Sequence, residues 1–311
     1  MKWLETRVNY TCTDRECAAD LISNVFYELG LQGVVIENAK DGETAGRKHR
    51  DQGISGHDAV IAYLPINGDI GAQVRLAREG LNLLGKRLDM QYRITFRAVD
   101  EEDWAESWKA YFRPQRISGR IVVSPTWMAY DPAPRDIVVS IDPGMAFGTG
   151  THPSTRLCVT LVERYLHKGD SVLDVGTGSG ILLIVAAKLG AGKGLGIDSD
   201  QVAVDVAGEN LSLNRICSGC FRIQRGDLLD GVQDVFDMVV ANITSEVIDA
   251  LIPRLHSVLR PGGMFICSGI VEENQGMIAD RLLGAGFEVM ETASQEGWTA
   301  TAAKEQNGVR S

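Results

Sequence analysis

The sequence lacks the marks of several specialised classes. No apolar run approaches the ~18 residues needed to cross a bilayer, so no membrane-spanning helix is expected. Met1-Lys2-Trp3-Leu4-Glu5 carries an acid at position 5 and no apolar signal core, so no export signal is read and a cytoplasmic location is expected. Cysteine is scarce: six in 311 residues is not a disulfide framework, and the compartment expected is a reducing one. Cys217-Ser218-Gly219-Cys220 forms a lone C-x-x-C. A metal there needs two more ligands, and only the distant Cys12 and Cys17 supply a second pair, so no metal site is expected. Positive charge is also short. The 31 Lys and Arg against 41 Asp and Glu leave a net charge of −10. That argues against sequence-specific nucleic-acid binding and suits a small-molecule enzyme or a basic protein partner.

With 44% hydrophobic and 23% charged residues, the chain has the composition of folded domains. Its length suggests two of them. Residues 1–97 read as an α+β unit: strands near Leu4–Val8, Gly33–Ile36, Ala59–Leu64 and Gln91–Arg97, with helices after the first and third. The order β-α-β-β-α-β is ferredoxin-like. Lys40–Asp58 is polar and Gly-rich, a long loop containing Arg47-Lys48-His49-Arg50. Residues 98–119 read as a linker helix, with Trp104, Trp108 and Tyr111 striped along one face until Pro114 stops it.

From residue 120 to 311, strand-like and helical stretches alternate. Strands are expected at Val172–Val175, Gly194–Ile197, Phe221–Ile223, Asp237–Ala241, Met264–Cys267, Phe287–Met290 and Trp298–Ala302. Helices fit between the first six, and the last two strands form a hairpin. The pattern predicts an α/β domain with a mostly parallel, Rossmann-like seven-stranded sheet.

The strongest local signal is Val172-Leu-Asp174-Val-Gly176-Thr-Gly178-Ser-Gly180, a strand running into a glycine turn and then a helix. Glycines let a ligand approach the backbone, and a helix N-terminus favours a negative group. The G-x-G-x-G spacing differs from the G-x-G-x-x-G of nicotinamide sites. Asp198 ends the next strand, where a carboxylate can accept two ribose hydroxyls. Asp227 follows the third strand, near the place of a nucleobase. The combination resembles a class I S-adenosylmethionine (SAM) methyltransferase. Upstream lies Asp142-Pro-Gly-Met-Ala-Phe147-Gly-Thr149-Gly-Thr151-His152-Pro-Ser-Thr155, a loop able to bend over a ligand, with His152 as a base or as a positioned loop residue.

This stretch, together with Asp103–Pro114, Ser124-Pro-Thr-Trp127, Ala241-Asn242-Ile243 and Gly297-Trp298, resembles the PrmA family of ribosomal protein L-eleven (L11) methyltransferases. The resemblance implies an N-terminal substrate-recognition domain joined by a mobile linker to a SAM-dependent catalytic domain. It implies cofactor contacts at Thr155, Gly176, Asp198 and Asn242, with Gly178 in the same turn, and a closing loop made of Phe147, Thr149 and Thr151. It implies methylation of L-eleven on lysines and on its N-terminal α-amine. Asn242 would orient the amine or touch SAM. Thr244-Ser245 departs from the Leu-Ala expected after Ile243 and leaves room for another protein or small-molecule acceptor; a binding factor without turnover is the reading from a different class. A monomer is expected.

Overall fold

A computed structural model describes residues 2–13, 15–27, 29, 31, 34–37, 58–66, 70–100, 112–142 and 150–306. The loop 40–57, the aromatic stripe of Trp104, Trp108 and Tyr111, and Phe147 and Thr149 lie outside the described residues. The chain divides into two units, Met1–Phe112 and Arg113–Ser311.

The first unit contains strands β1 (Lys2–Thr11), β2 (Val34–Glu37), β3 (Asp58–Pro65) and β4 (Gln91–Asp100), with helices α1 (Arg15–Tyr27) and α2 (Ile70–Arg87). All pairings are antiparallel, in the order β2-β3-β1-β4, which is the expected ferredoxin-like arrangement. Alternation places Val8, Tyr10, Val60 and Ala62 on the face where Ile22 and Phe26 of α1 and Ala77 and Leu81 of α2 pack.

The second unit opens with a small sheet of β5 (Gln115–Arg116), β6 (Ile121–Pro125) and β7 (Ile137–Ile141). Its Ile-Val-Val runs at 121–123 and 137–139 are β-branched, as a strand requires. The remaining elements are α3 (Pro153–Tyr165), β8 (Ser171–Val175), α4 (Ile181–Leu189), β9 (Lys193–Asp198), α5 (Gln201–Leu213), β10 (Phe221–Arg225), β11 (Phe236–Asn242), α6 (Ser245–Leu251), β12 (Leu259–Val271), α7 (Gln275–Gly284), β13 (Phe287–Gln295) and β14 (Trp298–Glu305). Among the described residues, seven of these strands form one sheet in the order β10-β9-β8-β11-β12-β14-β13. It is parallel up to β12 and closes with the expected antiparallel hairpin.

Alternate residues of each central strand enter different cores. Val172, Met238, Val240 and Ile266 face α3 and α4. Leu173, Val175, Val239, Ala241, Phe265 and Cys267 face α6 and α7. The helix expected between Ile223 and Asp237 is absent. Gly226 to Val235 runs as turns, with Leu228 and Gly231 in the left-handed region (φ +49° and +79°) that a helix does not use.

Candidate active site

The carboxyl ends of β8, β9 and β11 lie side by side, the place where ligands bind in open parallel sheets. At the end of β8, Gly176 (φ +71°), Gly178 (+53°) and Gly180 (+80°) all take left-handed backbone. The amides of Gly176 and Thr177 both donate to the carbonyl of Ile197 at 2.9 Å, tying the turn to the end of β9. A Cβ at Gly176 would lie 2.5 Å from Cγ2 of Ile243, so the position has no room for a side chain.

Asp198 is the hinge of this arrangement. Its Oδ2 accepts the Gly178 amide at 2.9 Å, and its Oδ1 accepts the Asp200 amide at 3.0 Å. Each carboxylate oxygen keeps a further lone pair for a ligand hydroxyl. Asp227 is exposed, two residues beyond β10. The intervening Gly226 donates its amide to the Asp198 carbonyl at 2.9 Å.

Asp174, near the end of β8, is fully buried, and its Oδ2 accepts the Thr177 hydroxyl of the glycine turn at 2.7 Å. Burial pushes this acid from 3.8 up to about 7, against the pull of the Thr177 hydroxyl, and the Asp198 charge adds to the rise. Its Oδ1 is buried and has no hydrogen-bond partner.

The glycine- and threonine-rich segment upstream is anchored at both described ends. Asn214 Oδ1 accepts the Ser140 amide and Asn210 Oδ1 accepts the Asp142 amide, both at 2.9 Å. Asn210 Nδ2 donates to the Ser179 carbonyl in the glycine turn at 2.9 Å. One fully buried amide thus links this segment to the turn. The sequence reading missed both asparagines; their partners lie 68 and 74 residues away. At the other end Gly150 (φ +85°) fits between Val123 and Ile181, either of which would meet a Cβ at 2.9 Å. Thr151 follows, exposed.

His152 caps α3. Its Nδ1 accepts the Ser154 amide at 3.3 Å and lies 2.7 Å from the Ser154 hydroxyl. The ring sits edge-on to Trp298, with centroids 4.7 Å apart. Burial holds the imidazole at about 4, below its usual 6.5, so it is neutral at physiological pH. Of its two expected roles, the described geometry gives it the positioning one.

Thr155, buried in the first turn of α3, receives the Asn242 Nδ2 donor on its hydroxyl at 3.1 Å. Asn242 ends β11 on the α3 side of the sheet, two residues past Val240. Its Oδ1 is buried without a partner. Thr244 occupies the N-cap of α6, but its side chain makes no capping bond. The expected residues Thr155, Gly176, Gly178, Asp198 and Asn242 therefore gather at one sheet edge.

This donor and acceptor set suits SAM. A carboxylate with spare lone pairs at the end of β9 fits a ribose diol, beside a glycine turn whose backbone is tied to the same strand end. The model of the ribosomal protein L11 methyltransferase (PrmA) family matches residues 2–306.

The chain belongs to the PrmA family.

The L11 methyltransferase of Desulfosudis oleivorans is 43% identical over 309 residues, covering 98% of this chain and 99% of the relative. That of Bacillus subtilis is 41% identical, covering 98% and 100%. The crystal structure of the L11 methylase from Lactobacillus delbrueckii subsp. bulgaricus superposes with a TM-score of 0.60 at 34% identity. It covers 63% of this chain and 100% of that one. This PrmA-family chain is a SAM-dependent methyltransferase built on the class I fold. No described helix is long and apolar enough to cross a membrane.

Proposed function

We propose that this chain methylates the lysines and the N-terminal α-amine of ribosomal protein L11. The observation that carries the reading is Asn242, a strand-end amide held by Thr155 whose carbonyl oxygen is buried and unpaired. SAM, when bound, supplies an electrophilic methyl group and a positive sulfonium.

The nucleophile must be a neutral amine. A lysine with pKa ~10.4 is only about 0.1% neutral near pH 7.4, a handicap of roughly 4 kcal/mol, while an α-amine at ~7.7–8.0 is far closer to readiness. The acceptor oxygen of Asn242 can hold an amine N–H and point the nitrogen lone pair, and water can take the proton. Removal from water lowers an amine pKa further. Alignment then supplies most of the acceleration. Gly176, Gly178, Asp198, Thr155 and Asp227 serve the cofactor, and Phe147, Thr149 and Thr151 the loop over it.

In this reading residues 1–97 act as the substrate-recognition domain, 98–119 as the linker and 120–311 as the catalytic domain; β4 runs on to Asp100, and residues 113–119 belong to the second unit, with β5 at Gln115–Arg116 in place of the expected helix. The net charge of −10 suits a basic ribosomal protein rather than sequence-specific nucleic-acid binding. The working unit is a monomer, in the cytoplasm.

The test is the intact mass of purified L11 after incubation with this enzyme and SAM, with Asp198→Ala in parallel. Whole methyl increments that vanish in the variant support the reading. Unchanged L11 with SAM still bound to the enzyme points to another acceptor, and SAM-independent capture of unmodified L11 points to a binding factor.

A further inference from the structure

The C-x-x-C pair has no part in the chemistry above. Cys217, Ser218, Gly219 and Cys220 form the turn between α5 and β10. The amides of Cys220 and Phe221 both donate to the Cys217 carbonyl, at 3.0 and 2.9 Å. An i to i+3 bond of this kind keeps the end Cα atoms within ~7 Å. A disulfide spans ~4.4–6.8 Å, so the turn already holds the two residues near bonding separation.

Both side chains are exposed. The Cys217 sulfur folds back over the turn, 3.7 Å from where a Cβ on Gly219 would lie. The neighbouring Gly219 amide, then the Cys220 thiol and amide, favour the Cys217 thiolate and hold that thiol below its ordinary pKa, while the nearby Cys217 raises that of Cys220. Such an arrangement separates an attacking thiol from a resolving one.

The other cysteines of the catalytic unit, Cys158 and Cys267, are fully buried, which pushes both thiols up, Cys267 to about 12. The pair is also remote from the cofactor edge. Phe221 opens β10 opposite Gly194, whereas Arg225 at its far end lies opposite Asp198.

We propose that Cys217 and Cys220 form a thiol–disulfide exchange site whose substrates are small-molecule disulfides. The Cys217 thiolate attacks one sulfur of R–S–S–R, forming Cys217–S–S–R and releasing RS⁻, which takes a proton from water. Cys220 then loses its proton to water, and its thiolate attacks the Cys217 sulfur. The protein disulfide forms and the second RS⁻ leaves and is protonated. Two electrons and two protons thus pass from the thiol pair to the disulfide, which becomes two thiols.

The test uses the full chain carrying Cys12→Ser and Cys17→Ser, incubated with oxidised glutathione at neutral pH and read by intact mass and peptide mapping. The parent is expected to lose two hydrogens, retain no glutathione, and return to its starting mass with dithiothreitol. Adding Cys220→Ser should trap one glutathione on Cys217. Adding Cys217→Ser instead should slow adduct formation at Cys220 about tenfold. Equal rates in the two variants, or a parent that accumulates glutathione without losing two hydrogens, would overturn the proposal.

Discussion

Asn242 and Thr155 are 87 residues apart in sequence, yet the amide nitrogen of the first donates to the hydroxyl of the second at 3.1 Å. That bond joins the end of β11 to the first turn of α3 and leaves the amide oxygen buried without a partner. Replacing Asn242 with Ala should leave SAM affinity within a few-fold and lower the single-turnover rate of L11 methylation by roughly a hundredfold, since alignment is what is lost. Thr155→Val should give a smaller loss in the same direction. Single-turnover kinetics beside calorimetric SAM binding separates the two effects; an unchanged rate for Asn242→Ala would remove it from the chemistry.

Asn210→Ala should cost stability as well as cofactor binding. It removes two hydrogen bonds, one from the Asp142 amide and one to the Ser179 carbonyl. At about 0.5–1.5 kcal/mol for each bond, a loss of roughly 1–3 kcal/mol is expected from urea unfolding. Asn210→Asp keeps the acceptor for Asp142 and should lose less, provided the new carboxyl is protonated.

Gly176→Ala should fold with difficulty and bind SAM at least tenfold more weakly. The new methyl group would lie 2.5 Å from Ile243 and would have to be held at φ +71°. Adding Ile243→Ala removes the contact but not the backbone strain, about 1 kcal/mol or more, so binding should recover only in part. Isothermal titration with SAM measures both.

The pH response should contain two opposed contributions. Asp174, raised from 3.8 to about 7, holds a proton in the folded chain that the unfolded chain releases. Its contribution is complete below 3.8 and is lost as pH rises toward 7, on the order of 4 kcal/mol over that span. His152, lowered from 6.5 to about 4, works the other way: its contribution is present above 6.5 and is lost as pH falls to 4, on the order of 3 kcal/mol. Between pH 4 and 6.5 the two nearly cancel. Relative to the parent, Asp174→Asn should therefore become steadily more stable as pH rises through this window, and His152→Asn steadily less stable. Urea midpoints at half-unit intervals would show whether the slopes have opposite signs.

The parts that were readable in the sequence are those whose cause is local. Glycine spacing, an acid at a strand end and the alternation of apolar residues marked the turn, Asp198 and all seven strands of the large sheet. The small sheet of β5, β6 and β7 is not among the expected strands, although its two Ile-Val-Val runs are β-branched. The helix expected after Ile223 gave way to left-handed turns at Leu228 and Gly231. The links made by Asn210 and Asn214 are not readable in the sequence, since each depends on a partner that only folding brings near.

The alternation of β11 has a consequence for how this family can change. Met238 and Val240 face one layer and Val239 and Ala241 the other, so the facing of Asn242 is decided by parity. Deleting a single residue between Met238 and Ala241 would swing the amide to the α6 side and away from Thr155, whereas deleting two would return it to its face. The irregular register lies earlier, between Phe236 and Met238, where β12 carries extra residues opposite β11. Length variation is thus tolerable at the foot of the strand and forbidden, one residue at a time, along its upper half.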